Sequence, residues 1–251
     1  SDMYALAHYN LGYISFEKKA YSEAREWFSK FTRLYRGSDK MALADAYNRI
    51  GDTYLRVRNF NDAKNYYARA EELGTAVGDY SFYQLALVSG LEKDYTGKVT
   101  LLNRLAGKYP NSPYVTHSTY EKGRSYVLMG NNKQAIAVFK ELVAKYPQSP
   151  VARKAAAEIG LLYYQDGAHD EAIKAYTHVV KEYPGSEEAR LAMRDLKSIY
   201  VDVNRVDEFA KLANQLPTGI TFDASEQDSL TYIAAEKLYM RGSIGQANES
   251  L

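Results

Sequence analysis

The chain has 251 residues, of which 46% are hydrophobic and 25% charged, with a formal net charge of +1; it is long enough for a sizeable core and lacks the basic excess of a general nucleic-acid or anionic-membrane binder. With no cysteine, disulfides and thiolate metal sites are excluded. No stretch reaches the roughly 20 apolar residues of a membrane span, and the opening SDMYALAHYN lacks the basic and apolar regions of a signal peptide.

Tyrosine occurs 24 times and proline only six times, never before Pro110. Long proline-free stretches suit helices. One phrase then recurs along the chain: a small residue, an aromatic, and a second small residue always 12 positions after the first. The first copy reads Leu11-Gly12, Tyr21, Ala24, Phe28, and the second Ile50-Gly51, Tyr54, Phe60, Ala63, with a break at Arg56–Asn59. The third is degenerate, with Ala86 followed by Lys98. The fourth has Gly123, Tyr126, a break at Met129–Asn132, then Ala135 and Phe139. The fifth is Ile159-Gly160, Tyr163, His169, Ala172, Tyr176. The sixth keeps only Lys197 and Phe209, and a seventh begins at Ala235 and Ala247.

Spacings between successive first anchors are 39, 35, 37, 37, 37 and 38 residues. A constant interval inside the unit and a variable one between units predicts rigid helix pairs joined by adjustable loops. In the fifth unit, residues 152–167 and 170–183 each carry an apolar stripe at helical spacing, separated by a turn that offers Asp170 as an N-cap. Small residues at 12, 51, 160 and 172 let two helices approach closely. The six prolines fall between helices, in YPNSP from Tyr109, YPQSP from Tyr146, YPGSE from Tyr183, and at Pro217. The serine of each linker is placed to cap the next helix.

On these residues the chain resembles the tetratricopeptide repeat (TPR): Gly160, Tyr163, Ala172, Tyr176 and Pro184 match its small, aromatic and proline positions. The resemblance implies an all-α fold, a right-handed alpha-alpha superhelix of about six and a half helix-turn-helix repeats. The expected repeats are 5–38, 44–77, 79–112, 116–149, 153–186, 190–223 and a truncated 228–251, one single solenoid over 1–251. The last unit would need a second helix from Ser243, so the chain is expected to be a fragment of a longer array. The linkers YPQSPVARKAA and YPGSEEARLA are similar to those of Gram-negative envelope proteins, the outer-membrane-assembly lipoproteins and Tol-Pal-associated coordinators. That likeness implies a periplasmic or outer-membrane-associated location; the alternative is cytoplasmic.

In TPR proteins the first helices line the concave face. Carried over, this gives Tyr9, Tyr13 and Phe16, then Asn48 and Asp52, Tyr80 and Tyr83, Tyr120 and Arg124, and finally Tyr164, Arg194, Tyr232 and Tyr239 as partner-binding candidates. Tyrosine offers large contact area with a hydroxyl for peptide groups. Tyr54, Tyr67, Tyr126, Tyr163 and Tyr176 sit instead on the core stripe. The carboxylate clamp of chaperone-tail receptors is not recognisable at these positions.

Four histidines (His8, His117, His169, His178) have no partner at zinc-site spacing, and no GxSxG elbow, phosphate loop or dinucleotide fingerprint is present. Glu71-Glu72 and Glu187-Glu188 read as solvated charge, and Asn248-Glu249-Ser250 matches a glycosylation sequon by letter only. The expected function is a scaffold that binds a protein or peptide in a tyrosine-rich groove, not an enzyme, with no cofactor, metal or nucleic acid. The alternatives are a structural, self-assembling spacer joined through open solenoid ends, and a glycan-binding surface.

Overall fold

The structure, a computed structural model, describes residues 2–216 and 224–249, with side chains of the last helix described to Gly242. Among the described residues there are thirteen helices and no strand. The chain divides into two compact units, 1–131 and 132–251. The boundary falls inside the expected repeat 116–149.

The first unit holds α1 (Asp2–Glu17), α2 (Tyr21–Leu34), α3 (Lys40–Arg56), α4 (Phe60–Glu72), α5 (Gly78–Leu91), α6 (Tyr95–Lys108) and α7 (Tyr114–Leu128). The second holds α8 (Asn132–Lys145), α9 (Pro150–Gln165), α10 (His169–Glu182), α11 (Glu187–Asp202), α12 (Val206–Gln215) and α13 (Ala224–Glu249). Within each unit successive helices pack on one another, and alternate helices such as α3 and α5, or α9 and α11, also touch.

The constant interval has a backbone cause. Lys19, Arg58, Lys93, Gly130, Gly167 and Asn204 all have positive φ, and each lies seven residues after its anchor. At each one the following N–H reaches five residues back, as from Asn59 to the Tyr54 carbonyl (3.0 Å) and from Ala168 to the Tyr163 carbonyl (2.9 Å). This left-handed helix stop satisfies orphaned carbonyls and fixes the turn length. Four of the six positions carry a side chain where glycine is the unstrained choice.

The small anchors face aromatics 16 residues on. A Cβ at Gly12, Gly51 or Gly160 would lie 2.7 Å from the ring of Phe28, Tyr67 or Tyr176 respectively. In the third repeat Lys98 occupies the packing position and is buried, with Gly90 against its stem and an ion pair to Glu121. Phe209 fills the sixth instead, packed 5.9 Å from the Tyr200 ring.

The caps divide. Asp39 accepts from the Met41 and Ala42 amides (2.9 and 3.2 Å), Asn59 from Asp62 (3.2 Å), Asp94 from Gly97 (2.9 Å) and Ser186 from Ala189 (3.1 Å). Four sequence expectations are corrected. Asp170 lies inside α10 rather than capping it, and pairs with Arg205 at 2.6 Å. Ser149 makes no side-chain cap bond; the Ala152 and Arg153 amides donate to its backbone carbonyl instead, at 3.0 and 3.3 Å. Glu71 is not simply solvated; it is ion-paired with Lys108 across two repeats.

The fourth correction concerns the chain's last helix. α13 runs without interruption from Ala224 to Glu249, so no second helix starts at Ser243. Gly242 and Gly245 each cost about 1 kcal/mol in a helix interior, and neither ends α13. Leu230 and Ala234 hold α13 against Val201 and Val206. Pro217 and the side chains of Ala247 and of the 248–250 sequon lie outside the described residues.

Candidate partner-binding groove

The two cores differ in chemistry. In the second unit, Ile173, Tyr176, Val179, Val180, Met193, Leu196 and Ile199 form one apolar cluster. In the first, α3 threads a charged ladder through the packing. Asp45, Arg49 and Asp52 stand four and three residues apart, on one helix face. Arg49 Nη1 lies 2.6 Å from Asp52, and Arg49 Nε 3.6 Å from Asp45.

Tyrosines cap both carboxylates. The Tyr9 hydroxyl donates to Asp45 at 2.7 Å and Tyr13 donates to the same oxygen. Tyr67 and Tyr80 donate to one oxygen of Asp52 at 2.7 and 2.8 Å. The Arg49 guanidinium also lies over the Tyr80 ring, 4.7 Å from its centroid. Burial, then the Asp45 bond, pushes the Tyr13 phenol up to about 12, and burial followed by the neighbouring carboxylate raises Tyr9, Tyr67 and Tyr80 as well. Burial raises the Asp52 carboxyl, against the Arg49 charge and the two phenols that lower it. Burial alone would lower Arg49, but Asp52, Tyr80 and Asp45 outweigh it and hold the guanidinium charged.

This ladder forms one wall of a groove of about 920 Å³. Its walls come mainly from the first helix of each hairpin: Phe16 of α1, Arg49, Asp52 and Leu55 of α3, Tyr80, Gln84 and Leu87 of α5, and Glu121 and Leu128 of α7. Arg58 of the α3–α4 turn and Lys98 of α6 close one side.

Of the sequence-predicted residues, the groove therefore brings together Phe16, Asp52 and Tyr80. Tyr9 and Tyr13 are spent on Asp45. Asn48 is 1% exposed, accepts from Ser81 Oγ at 2.8 Å and donates to the Val77 carbonyl at 3.3 Å. Tyr83 stacks on Tyr114 at 5.1 Å. Tyr120 and Arg124 are half-buried on α7. In the second unit, Tyr164 donates to Asp202 at 3.0 Å and Arg194 pairs with Asp195 at 3.0 Å. Tyr232 and Tyr239 are 70% and 74% exposed on α13.

The second unit has a cleft of its own, about 600 Å³, between α8 and α10 over Ala156, Ile159 and Tyr163 of α9. Lys140 Nζ donates to the Tyr163 hydroxyl at its edge, 2.9 Å away. Sequence reasoning missed this cleft, and it missed Arg49, Leu55, Arg58 and Leu87 of the groove and Asp45 of the ladder. The alternating charges at 45, 49 and 52 beside an excess of tyrosine were the available signal. Among the described residues no cluster of histidine and carboxylate side chains could hold a metal ion, and no helix is long and apolar enough to cross a membrane.

Stacked antiparallel helix pairs with a small-residue and aromatic register define a helical-repeat protein. Sequence profiles of the Tetratricopeptide repeat match residues 2–39, 44–73, 80–112 and 120–187; the chain belongs to the tetratricopeptide repeat family. No curated protein sequence matches it. Solved structures share the fold. MamA (residues 41 to the end) from Desulfovibrio magneticus RS-1 is 21% identical over 71% of this chain and 93% of its own, with a TM-score of 0.52. YrrB, described as a TPR protein with an unusual peptide-binding site, is 19% identical over 76% and 92%, with a TM-score of 0.55. A Podosopora anserina protein with nearly identical TPR-like repeats is 13% identical over 78% and 97%, with a TM-score of 0.57. At these identities the likeness concerns the fold.

Proposed function

We propose that the chain is a non-catalytic protein-binding scaffold whose first unit takes an extended segment of a partner protein in the groove along α1, α3, α5 and α7. The observation that carries this reading is the groove itself: about 920 Å³, walled by helices from four successive hairpins. Such a surface presents separate side-chain sites along one line, as an extended peptide needs. The internal bonds of Tyr9, Tyr13, Tyr67 and Tyr80 give it a fixed wall, which lowers the ordering cost of binding.

A photo-crosslinking amino acid tests it. Placed at Gln84, in the groove, it should trap the partner; placed at Asn65, exposed on α4, it should not. Equal trapping from both positions contradicts the groove.

The YPxS linkers at 146–149 and 183–186 support a bacterial-envelope setting, periplasmic or outer-membrane-associated, for the same scaffold. Fractionation of cells carrying the untagged full-length protein tests that placement, and recovery only with cytosolic markers opposes it.

A second reading is self-association. Tyr4, Leu11 and Ile14 are exposed at helical spacing on α1, as are Tyr232, Tyr239 and Met240 on α13. Sedimentation of wild type against Leu11→Glu/Ile14→Glu decides it: loss of an oligomer in the variant supports end-face contact, and a monomeric wild type removes it.

A further inference from the structure

We infer that this groove selects an acidic segment that alternates carboxylates with apolar side chains, the carboxylates meeting Arg56 and Arg58. The inference rests on the groove reading above and adds the chemistry of the partner.

Six charged residues line the groove: Arg49, Arg56, Arg58 and Lys98 against Asp52 and Glu121. Two internal pairs, Arg49 with Asp52 and Lys98 with Glu121, cancel four of them. Arg56 and Arg58 are left, and among the described residues neither makes an ion pair. Each is held by an aromatic ring instead. The Arg56 guanidinium sits 5.4 Å from the Tyr21 centroid and that of Arg58 sits 5.2 Å from Phe60. Ring contact orders a guanidinium while leaving its planar fork of donors open, which suits bidentate recognition of a carboxylate.

Arg58 occupies the left-handed turn position, at φ 58°, that Lys19, Lys93 and Asn204 occupy in other repeats and that Gly130 and Gly167 fill in the fourth and fifth. Arginine there is strained where glycine is not.

Apolar surface shares the groove with these cations. Leu55, Leu87, Leu91 and Leu128 line it, and Leu91 and Leu128 are 51% and 54% exposed. A polyphosphate or a nucleic-acid strand would satisfy the arginines and leave the leucines uncovered. A peptide carrying both carboxylates and large apolar side chains covers both.

The test is fluorescence anisotropy of the full chain with a labelled alternating Glu–Leu peptide. Three probes run beside it: the Lys–Leu peptide, a Glu–Ser peptide and oligothymidylate. The Glu–Leu peptide should bind at least about tenfold more tightly than any of the three, a difference of about 1.4 kcal/mol. Arg56→Glu/Arg58→Glu should abolish that preference with helicity unchanged. Arg58→Gly should raise the melting temperature and still weaken the peptide, a combination that a purely structural arginine would not give. Equal binding of the Lys–Leu peptide or of oligothymidylate overturns the inference. If Gln84→Trp blocks binding while the double charge reversal does not, the groove stands and the acidic selection falls. If Gln84→Trp changes nothing, the groove reading itself falls.

Discussion

The two units are built from one repeat yet solve the interior differently. In the second, aliphatic side chains and Tyr176 fill the space between α9, α10 and α11. In the first, three charges on α3 and four phenols occupy the corresponding layer, and the groove opens directly beside them. The small-residue register fixes how helices stack and is indifferent to what the inner side chains are. The difference teaches that a repeat scaffold can hold polarity at one surface by satisfying it internally first. A buried carboxylate with two phenol donors and a guanidinium is stiff, and what it presents to a visitor is a ring face and a fixed charge.

The largest test of this contrast removes the cation. Arg49→Met leaves Asp45 and Asp52 facing each other without their counter-charge in a mostly buried layer, so stability should fall by about 3–5 kcal/mol in denaturant unfolding of the first unit. In the second unit, Arg205→Met removes an arginine of the solvent-facing pair with Asp170, and should leave the unfolding midpoint almost where it was. Equal losses from both would mean that the ladder is no more structural than a surface pair.

Packing should cost the two units alike, because the register is shared. Ala172 is fully buried and Gly51 faces the Tyr67 ring. Ala172→Leu and Gly51→Ala should each overpack a crossing by about 1–3 kcal/mol. An Ala172→Leu protein that melts like its parent would show that the alanine position is misplaced.

A smaller effect is visible in alkali. Tyr13 ionises in the native chain at about 12, against 10.0 for a free phenol. The unfolded chain therefore releases this proton first as pH rises. Its contribution to stability is complete below about 10 and is lost between about 10 and 12. Tyr13→Phe should accordingly make melting temperature fall less steeply over that window, at a cost of about 1 kcal/mol near neutrality for the lost hydrogen bond. An unchanged slope would place the phenol outside the linkage.

Much of the fold was legible in the sequence because its cause is steric and local. Gly12, Gly51 and Gly160 stand at fixed distances from Phe28, Tyr67 and Tyr176, and one left-handed residue per hairpin keeps them there. The end of the chain was less legible. A seventh hairpin was expected from Ala235 and Ala247, but neither Gly242 nor Gly245 ends α13, which continues to Glu249. The site was legible by helix and not by side chain. Phe16, Asp52 and Tyr80 do line the groove. Tyr9, Tyr13 and Asn48 are turned to internal partners because a long-range partner, the acceptor Asp45 for the tyrosines and the donor Ser81 for Asn48, claims each one. Asp45 and Arg49 read alone as solvated helix charges; only the meeting of α1, α3 and α5 makes them a half-buried ladder.

Methyl NMR of the full chain, leucine-labelled and titrated with the Glu–Leu peptide, shows directly which unit takes the peptide. Shifts are expected at Leu55, Leu87, Leu91 and Leu128 in the first unit, with Leu162 and Leu196 of the second unchanged. Shifts confined to the second unit, or none in the groove at saturating peptide, would contradict the groove reading.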